Sequence, residues 1–192
     1  YTHDTVAHHA AIKRAEEKGY DVLVMDTALS SHLVNKLEQS NTDVTFARID
    51  SDTIEKLILK EEALPSKLSK DEEEKLKPII EGLINSSTYS VQFESLSEKD
   101  APIQITQSEF MRRMAEMQKV GGQGGFMGNM PESYNLVVNS NHALVGKILN
   151  EGDAGAQTTL AKQATDLALL SVGLLKGKDL TEFINRSLEI IE

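Results

Sequence analysis

The segment Gly121-Gly122-Gln123-Gly124-Gly125-Phe126-Met127-Gly128 has the composition of a phosphate-binding loop, in which glycines let backbone N–H groups close on an anion. Its spacing does not support that chemistry. Gly122 and Gly124 begin a G-x-G-x-x-G pattern, but Met127 occupies the last position and no Gly-Lys-Ser/Thr follows. The loop also follows an expected helix and precedes an expected strand, the reverse of the order that puts a helix N-terminus on a phosphate. A mobile loop is the expectation. His3, His8 and His9 offer imidazoles, yet His8 and His9 are neighbours about 100° apart on a helix, and no H-E-x-x-H spacing occurs. Asp26 closes an apolar run, where α/β folds often place functional groups; with Thr27 it reads more simply as turn chemistry. Periodicity supports neither a Ser-His-Asp arrangement nor paired carboxylates, so no catalytic or metal-ligating residue is assigned.

One cluster stands apart. Phe110, Met111, Met114 and Met117 line one face of an expected helix whose other face carries Arg112, Arg113 and Glu116. With Met127 and Met130, five of the six methionines fall within twenty residues. Unbranched, polarizable side chains adapt to many partner shapes, so a Met-rich face suits promiscuous contact. The same stripe also suits ordinary core packing, and the pattern alone leaves both readings open.

The elements that position these residues follow from periodicity. Asp4 can cap a helix running to about Lys18, with Gly19 as its stop. Tyr20–Asp26 and Val44–Ile49 read as strands around a helix with Leu29, Leu33, Val34 and Leu37, giving a βαβ unit. Mixed charges around Lys60-Glu61-Glu62 and Lys70–Lys75 mark a solvated boundary over residues 61–77. Ser69 with Glu72 forms a capping box, and Pro78 predicts a kink or restart in the helix that follows. Strands are expected at Tyr89–Phe93, Ile103–Ile105 and Tyr134–Val138. Thr106 with Glu109 forms a second capping box, and Asn141 caps a short helix. The end is helical. Leu160, Ala164, Leu167, Leu170 and Leu174 belong to a helix apolar nearly all round, stopped by Gly177, and Phe183, Ile184, Leu188 and Ile191 stripe the last one. This much apolar surface on two helices predicts half of a four-helix bundle completed by a second copy, with these nine residues at the dimer contact. The fold class is therefore α+β, a small αβα (βαβ) unit followed by a helix and three-stranded-sheet domain ending in that bundle.

Composition narrows the function. Across 192 residues there are 20 Lys plus Arg against 30 Asp plus Glu, a net charge of −10, which disfavours a sequence-indifferent nucleic-acid binder. Without cysteine there is no disulfide, thiolate zinc site or cysteine nucleophile. The apolar stretch at Leu167–Leu175 is too short to span a bilayer, and no leader-like segment is evident. A soluble, cytoplasmic protein without nucleic-acid or membrane partners is the expectation. A chain opening on Tyr1 is expected to be a piece of a longer one.

Several segments in order resemble the C-terminal half of the 90-kDa heat-shock chaperone family, bacterial HtpG type. They are Glu17-Lys18-Gly19-Tyr20-Asp21-Val22-Leu23-Val24-Met25, Pro78-Ile79-Ile80, Val91-Gln92-Phe93, Phe110-Met111-Arg112-Arg113-Met114, Asn129–Asn139, and Asn141-His142-Ala143-Leu144-Val145 with the terminal helices. The resemblance implies that residues 1–60 are the last αβα part of the middle domain, 61–77 a charged linker and helix start, and 78–192 the C-terminal dimerisation domain. It implies client-protein contact through Phe110, Met111, Met114 and Met117, and a homodimer. ATP and Mg would belong to an N-terminal domain outside this sequence, so the fragment itself is expected to hold no cofactor and to catalyse nothing. The end Leu188-Glu189-Ile190-Ile191-Glu192 resembles bacterial forms rather than those with an acidic Met-Glu-Glu-Val-Asp tail. Two other readings remain: a dimeric adaptor without chaperone activity, and a small α/β enzyme using Asp26.

Overall fold

The computed structural model describes residues 1–27, 29–58, 64–113 and 133–191. The elements are α1 (His9–Glu17), α2 (Ser30–Ser40), α3 (Ile54–Leu57), α4 (Lys70–Glu81), β1 (Tyr89–Glu94), β2 (Ile103–Thr106), β3 (Tyr134–Asn139), α5 (Ala143–Asn150), α6 (Ala154–Ser171) and α7 (Gly177–Ile191). A further helical stretch covers 109–113. The chain divides into two compact units, Tyr1–Lys60 with Thr106–Ser133, and Glu61–Ile105 with Tyr134–Glu192. Helices and a three-stranded sheet together make the chain α+β.

In the first unit, Ala15, Ile49 and Ile54 form a small core lined by Ile12, Tyr20, Val22 and Leu57. The two strands expected at 20–26 and 44–49 are not strands. Instead, the dipeptide Tyr1-Thr2 lies between short stretches of both. Thr2 N–H donates to Leu23 O (2.8 Å) and Met25 N–H to Thr2 O (2.7 Å), while Ile49 N–H donates to Tyr1 O (2.9 Å). The result is a single parallel bridge, Thr2 to Val24. The expected βαβ unit presumes a strand buried on both faces, whereas Leu23 and Val24 are exposed here, and among the described residues nothing extends the ladder. Asp4 accepts from the Val6 and Ala7 N–H groups at 2.9 Å, capping a turn before α1 rather than α1 itself. Gly19 ends that helical region at φ +75°, a conformation a Cβ disfavours.

The second unit is built on β3, central in the order β1-β3-β2. β1 pairs with it in parallel from Tyr89↔Tyr134 to Glu94↔Asn139. A central strand is covered on both faces, and Leu136, Val137 and Val138 are accordingly buried. Leu76 and Ile80 from α4, Val145 and Ile148 from α5, and Ala161, Ala164 and Ala168 from α6 close the core. The Ser69–Glu72 capping box forms in both directions. α4 runs through Pro78 to Glu81 without the expected restart. Asn139 is fully buried yet satisfied: its Oδ1 accepts from Leu96 and Asn141 N–H, and its Nδ2 donates to Ser97 O at 2.8 Å. Asn141 is committed to Leu96 O and Lys67 N–H, so His142, not Asn141, caps α5 through Nδ1 on Leu144 N–H. Gly173 (φ +72°), not Gly177, terminates α6, and Gly177 opens α7.

Candidate functional site

In the first unit the stretch 109–113 carries Phe110, which is 67% exposed, and Met111, which is half-buried. Met114, Met117 and the glycine cluster lie outside the described residues. The residue between Phe110 and the preceding turn fixes this stretch. Glu109 is expected in a capping box with Thr106; Thr106 instead ends β2 with a buried hydroxyl, and the Glu109 carboxylate collects donors from its own helical stretch and from Tyr1 and Arg48. It accepts from Arg112 Nε (3.1 Å), Arg113 Nε (2.7 Å) and Arg48 N–H (3.3 Å), and from the Tyr1 hydroxyl at 3.3 Å. Arg112 also donates to the Tyr1 hydroxyl at 2.6 Å. Arg113 reaches on to Glu38 (2.7 Å), Asn35 and the Phe46 carbonyl. Charge-assisted, forked contacts of this kind are stronger and more directional than neutral ones. Burial pushes the Glu109 carboxyl up, but the Arg112 and Arg113 hydrogen bonds outweigh it and hold it below the usual carboxylate range. Glu38 is lowered chiefly by Arg113, and Arg113 is raised chiefly by Glu38.

A hydroxyl, an imidazole and a carboxylate also meet nearby. Thr2 Oγ1 lies 2.7 Å from His8 Nδ1, and His8 Nε2 lies 3.4 Å from Asp50. Arg48 forks onto the same carboxylate, with one arm at 2.6 Å. Burial raises the Asp50 carboxyl, while the His8 and Arg48 hydrogen bonds pull it down further, so it stays ionised. Nucleophilic catalysis needs an accessible hydroxyl. Thr2 is completely buried and shares its Oγ1 with the Asp4 backbone, so the group works as a structural knot. Asp26 is exposed. Among the described residues no cluster of three or more His, Asp or Glu is placed to hold a metal ion, and no helix is long and apolar enough to cross a membrane.

The terminal helices present the second surface. Of the nine residues expected at a dimer contact, Ala164 and Phe183 are buried within the chain, and Leu160 and Leu174 are partly buried against its core. Leu167, Leu170, Ile184, Leu188 and Ile191 are exposed, joined by Val172. α6 packs Ala161, Ala164 and Ala168 inward and leaves Leu167 and Leu170 outward. At about 100° per residue, Ile184, Leu188 and Ile191 fall within an arc of roughly 60°. Polar cross-links join the helices: Gln163 Nε2 to Ser187 Oγ (2.8 Å), and Arg186 to Asp166. Residue numbers rise on α6 as they fall on α7, so the pair is antiparallel. Leu167 directly follows Asp166, Leu188 follows Ser187, and Ile184 follows the buried Phe183. One step turns about 100° in each helix's own sense, and antiparallel helices turn oppositely when viewed from one end. The exposed residues therefore come out on the same side of the helical pair.

A model of the family described as Hsp90 protein matches residues 1–192. The chain belongs to the Hsp90 family. Among its relatives, the chaperone protein HtpG of Porphyromonas gingivalis strain ATCC 33277 is 38% identical over 173 residues, 88% of this chain and 25% of that protein. The HtpG of Bacteroides thetaiotaomicron is 36% identical over 163 residues, 83% of this chain and 24% of its own length. That of Bacteroides fragilis strain 638R is 35% identical over 170 residues, 87% and 25% respectively. The Hsp90-family chain thus spans about a quarter of the length of these curated relatives.

Sequence reasoning missed two charged groups in this Hsp90-family chain. Spacing shows Glu109 only as a local cap, because its partners Tyr1, Arg48 and Glu38 (through Arg113) are more than sixty residues away in sequence. Asp166 lies inside a helix apolar nearly all round. A carboxylate between Ala164 and Ala168 on a core-facing turn was itself the signal, since such a group is seldom fully buried without a cation.

Proposed function

We propose that this chain is the self-association and client-contact part of an HtpG-type chaperone assisting protein folding under stress. The observation that carries the reading is the row of exposed apolar side chains on one side of the α6–α7 pair, in a chain of the Hsp90 family. A same-sided stripe on two antiparallel helices is self-complementary, and pairing it with a second copy gives a four-helix bundle. Dimerisation then holds two parent arms at high effective concentration. Phe110, together with Met111, Met114 and Met117, supplies adaptable apolar surface to non-native clients. On this reading the parent is a cytoplasmic ATPase, ATP and Mg belong to its segments outside these 192 residues, and the fragment neither hydrolyses nucleotide nor engages nucleic acid or membrane. The domain boundaries 1–60, 61–77 and 78–192 go with that assignment.

Light scattering together with an aggregation-suppression assay tests it. The chain should run as a dimer and delay aggregation of an unfolded model protein. Met114→Ser with Met117→Ser should weaken that suppression while leaving the dimer intact. A dimer that never suppresses aggregation would point to an adaptor instead.

A further inference from the structure

The α6–α7 contact contains a group that burial alone does not favour. Asp166 is 0% exposed. Its carboxylate is met by Arg186 from α7 and by Lys162 Nζ at 2.5 Å, one turn earlier on α6. Arg186 Nε also points to Gln163 Oε1 at 3.4 Å, and Gln163 returns a hydrogen bond to Ser187. One guanidinium fork therefore bridges two α6 side chains three residues apart, while a separate amide–hydroxyl bond pins the next α7 position. A buried ion pair contributes little net stability against apolar side chains of similar volume, and its best-attested use is to fix register. Without these polar links, α6 and α7 would meet through Ala, Leu and Phe side chains, which tolerate sliding and rotation far better than a fork does.

We propose that the Asp166–Arg186–Gln163 clasp is a register device, which holds α6 and α7 so that Leu167, Ile184 and Leu188 form one continuous face. It rests on the reading that a second copy covers that face. A rotation of α7 by one residue, about 100°, would carry Ile184 and Leu188 off the shared side. Asp166 and Arg186 are positioning residues here, acting through the apolar side chains beside them.

The test compares the full chain with the double variant Asp166→Leu/Arg186→Met, in which Lys162, already partly exposed, swings into water. Thermal unfolding reads stability, and sedimentation velocity over a concentration series reads association. The expected result is a melting temperature at or above that of the unsubstituted chain, with the dimer weakened by about tenfold or more or replaced by mixed species. A folded double variant that dimerises within about threefold of the original overturns the clasp alone. An unsubstituted chain that stays monomeric overturns both the clasp and the reading beneath it. Should the double variant unfold, Arg186→Lys serves: it keeps a cation on Asp166 but cannot fork to Gln163. That variant should fold and dimerise about tenfold more weakly, and unchanged dimerisation would equally overturn the proposal.

Discussion

Replacing Glu109 with Ala removes the carboxylate on which Arg112, Arg113, Tyr1 and the Arg48 amide converge. The side chains of Arg112 and Arg113 are only 5% and 18% exposed, and that of Glu109 is 22%. Removing one partner of a buried ion pair costs about 3–5 kcal/mol, because the other charge stays out of water. Here the loss is smaller. Arg113 keeps Glu38 and the Phe46 carbonyl, Arg112 keeps the Tyr1 hydroxyl, and partial exposure screens the rest. About 2–3 kcal/mol remains, and it falls locally on the stretch that carries Phe110 and Met111. Amide hydrogen exchange reads local opening directly. The amides of Gln107, bonded to Asp50 O, and Arg112, bonded to Ser108 O, should exchange roughly 30- to 150-fold faster. Amides of β3 in the other unit should be unaffected. Glu109→Gln, which keeps the shape but loses the charge, should fall between. Unchanged exchange at Gln107 and Arg112 in Glu109→Ala would refute the claim that this network holds the stretch in place.

Further outcomes follow from the same geometry. Leu167→Ala with Ile184→Ala should raise the dimer Kd roughly thousandfold, since each residue still has about half its surface to bury, about 1 kcal/mol, and two-fold symmetry doubles each loss; sedimentation equilibrium across concentrations checks it. Leu136→Ala, at a fully buried position of the central strand, should destabilise the second unit by about 3 kcal/mol in urea melts. Acid should loosen the first unit. Glu38 and Glu109 titrate below their ordinary value of 4.5 when folded, so the unfolded chain binds more protons, and their contribution, full at neutral pH, is lost as pH falls from about 4.5 downward. Exchange at Arg112 measured between pH 7 and 3.5, corrected for intrinsic rates, should show protection flat and then falling.

What was legible in the sequence was local. The Ser69–Glu72 box, the alternation of Tyr89, Val91 and Phe93, and the apolar periodicity of the terminal helices each depend on residues within a turn or two. Which face of α6 turns inward was not legible, because the helix is apolar nearly all round. Close approach to the neighbouring helices α4, α5 and α7 selects Ala161, Ala164 and Ala168 for the inside and sends Leu167 out. The run Tyr20–Asp26 has strand composition, but its one ladder bridge among the described residues is to Thr2, and the dipeptide Tyr1-Thr2 cannot sustain a ladder. Asn141 and Glu109 each had a plausible local role as a cap and were drawn instead to partners 45 to more than 60 residues away. At both positions tertiary hydrogen bonds took the place of the capping bond, and spacing rules do not see that competition.

On the proposed reading α6 and α7 complete themselves with a second copy. Sedimentation equilibrium of the unsubstituted chain from low to high micromolar concentration tests it most directly. A single species of twice 21.2 kDa is expected. A sharp, concentration-independent mass of 21.2 kDa from a folded protein would contradict it.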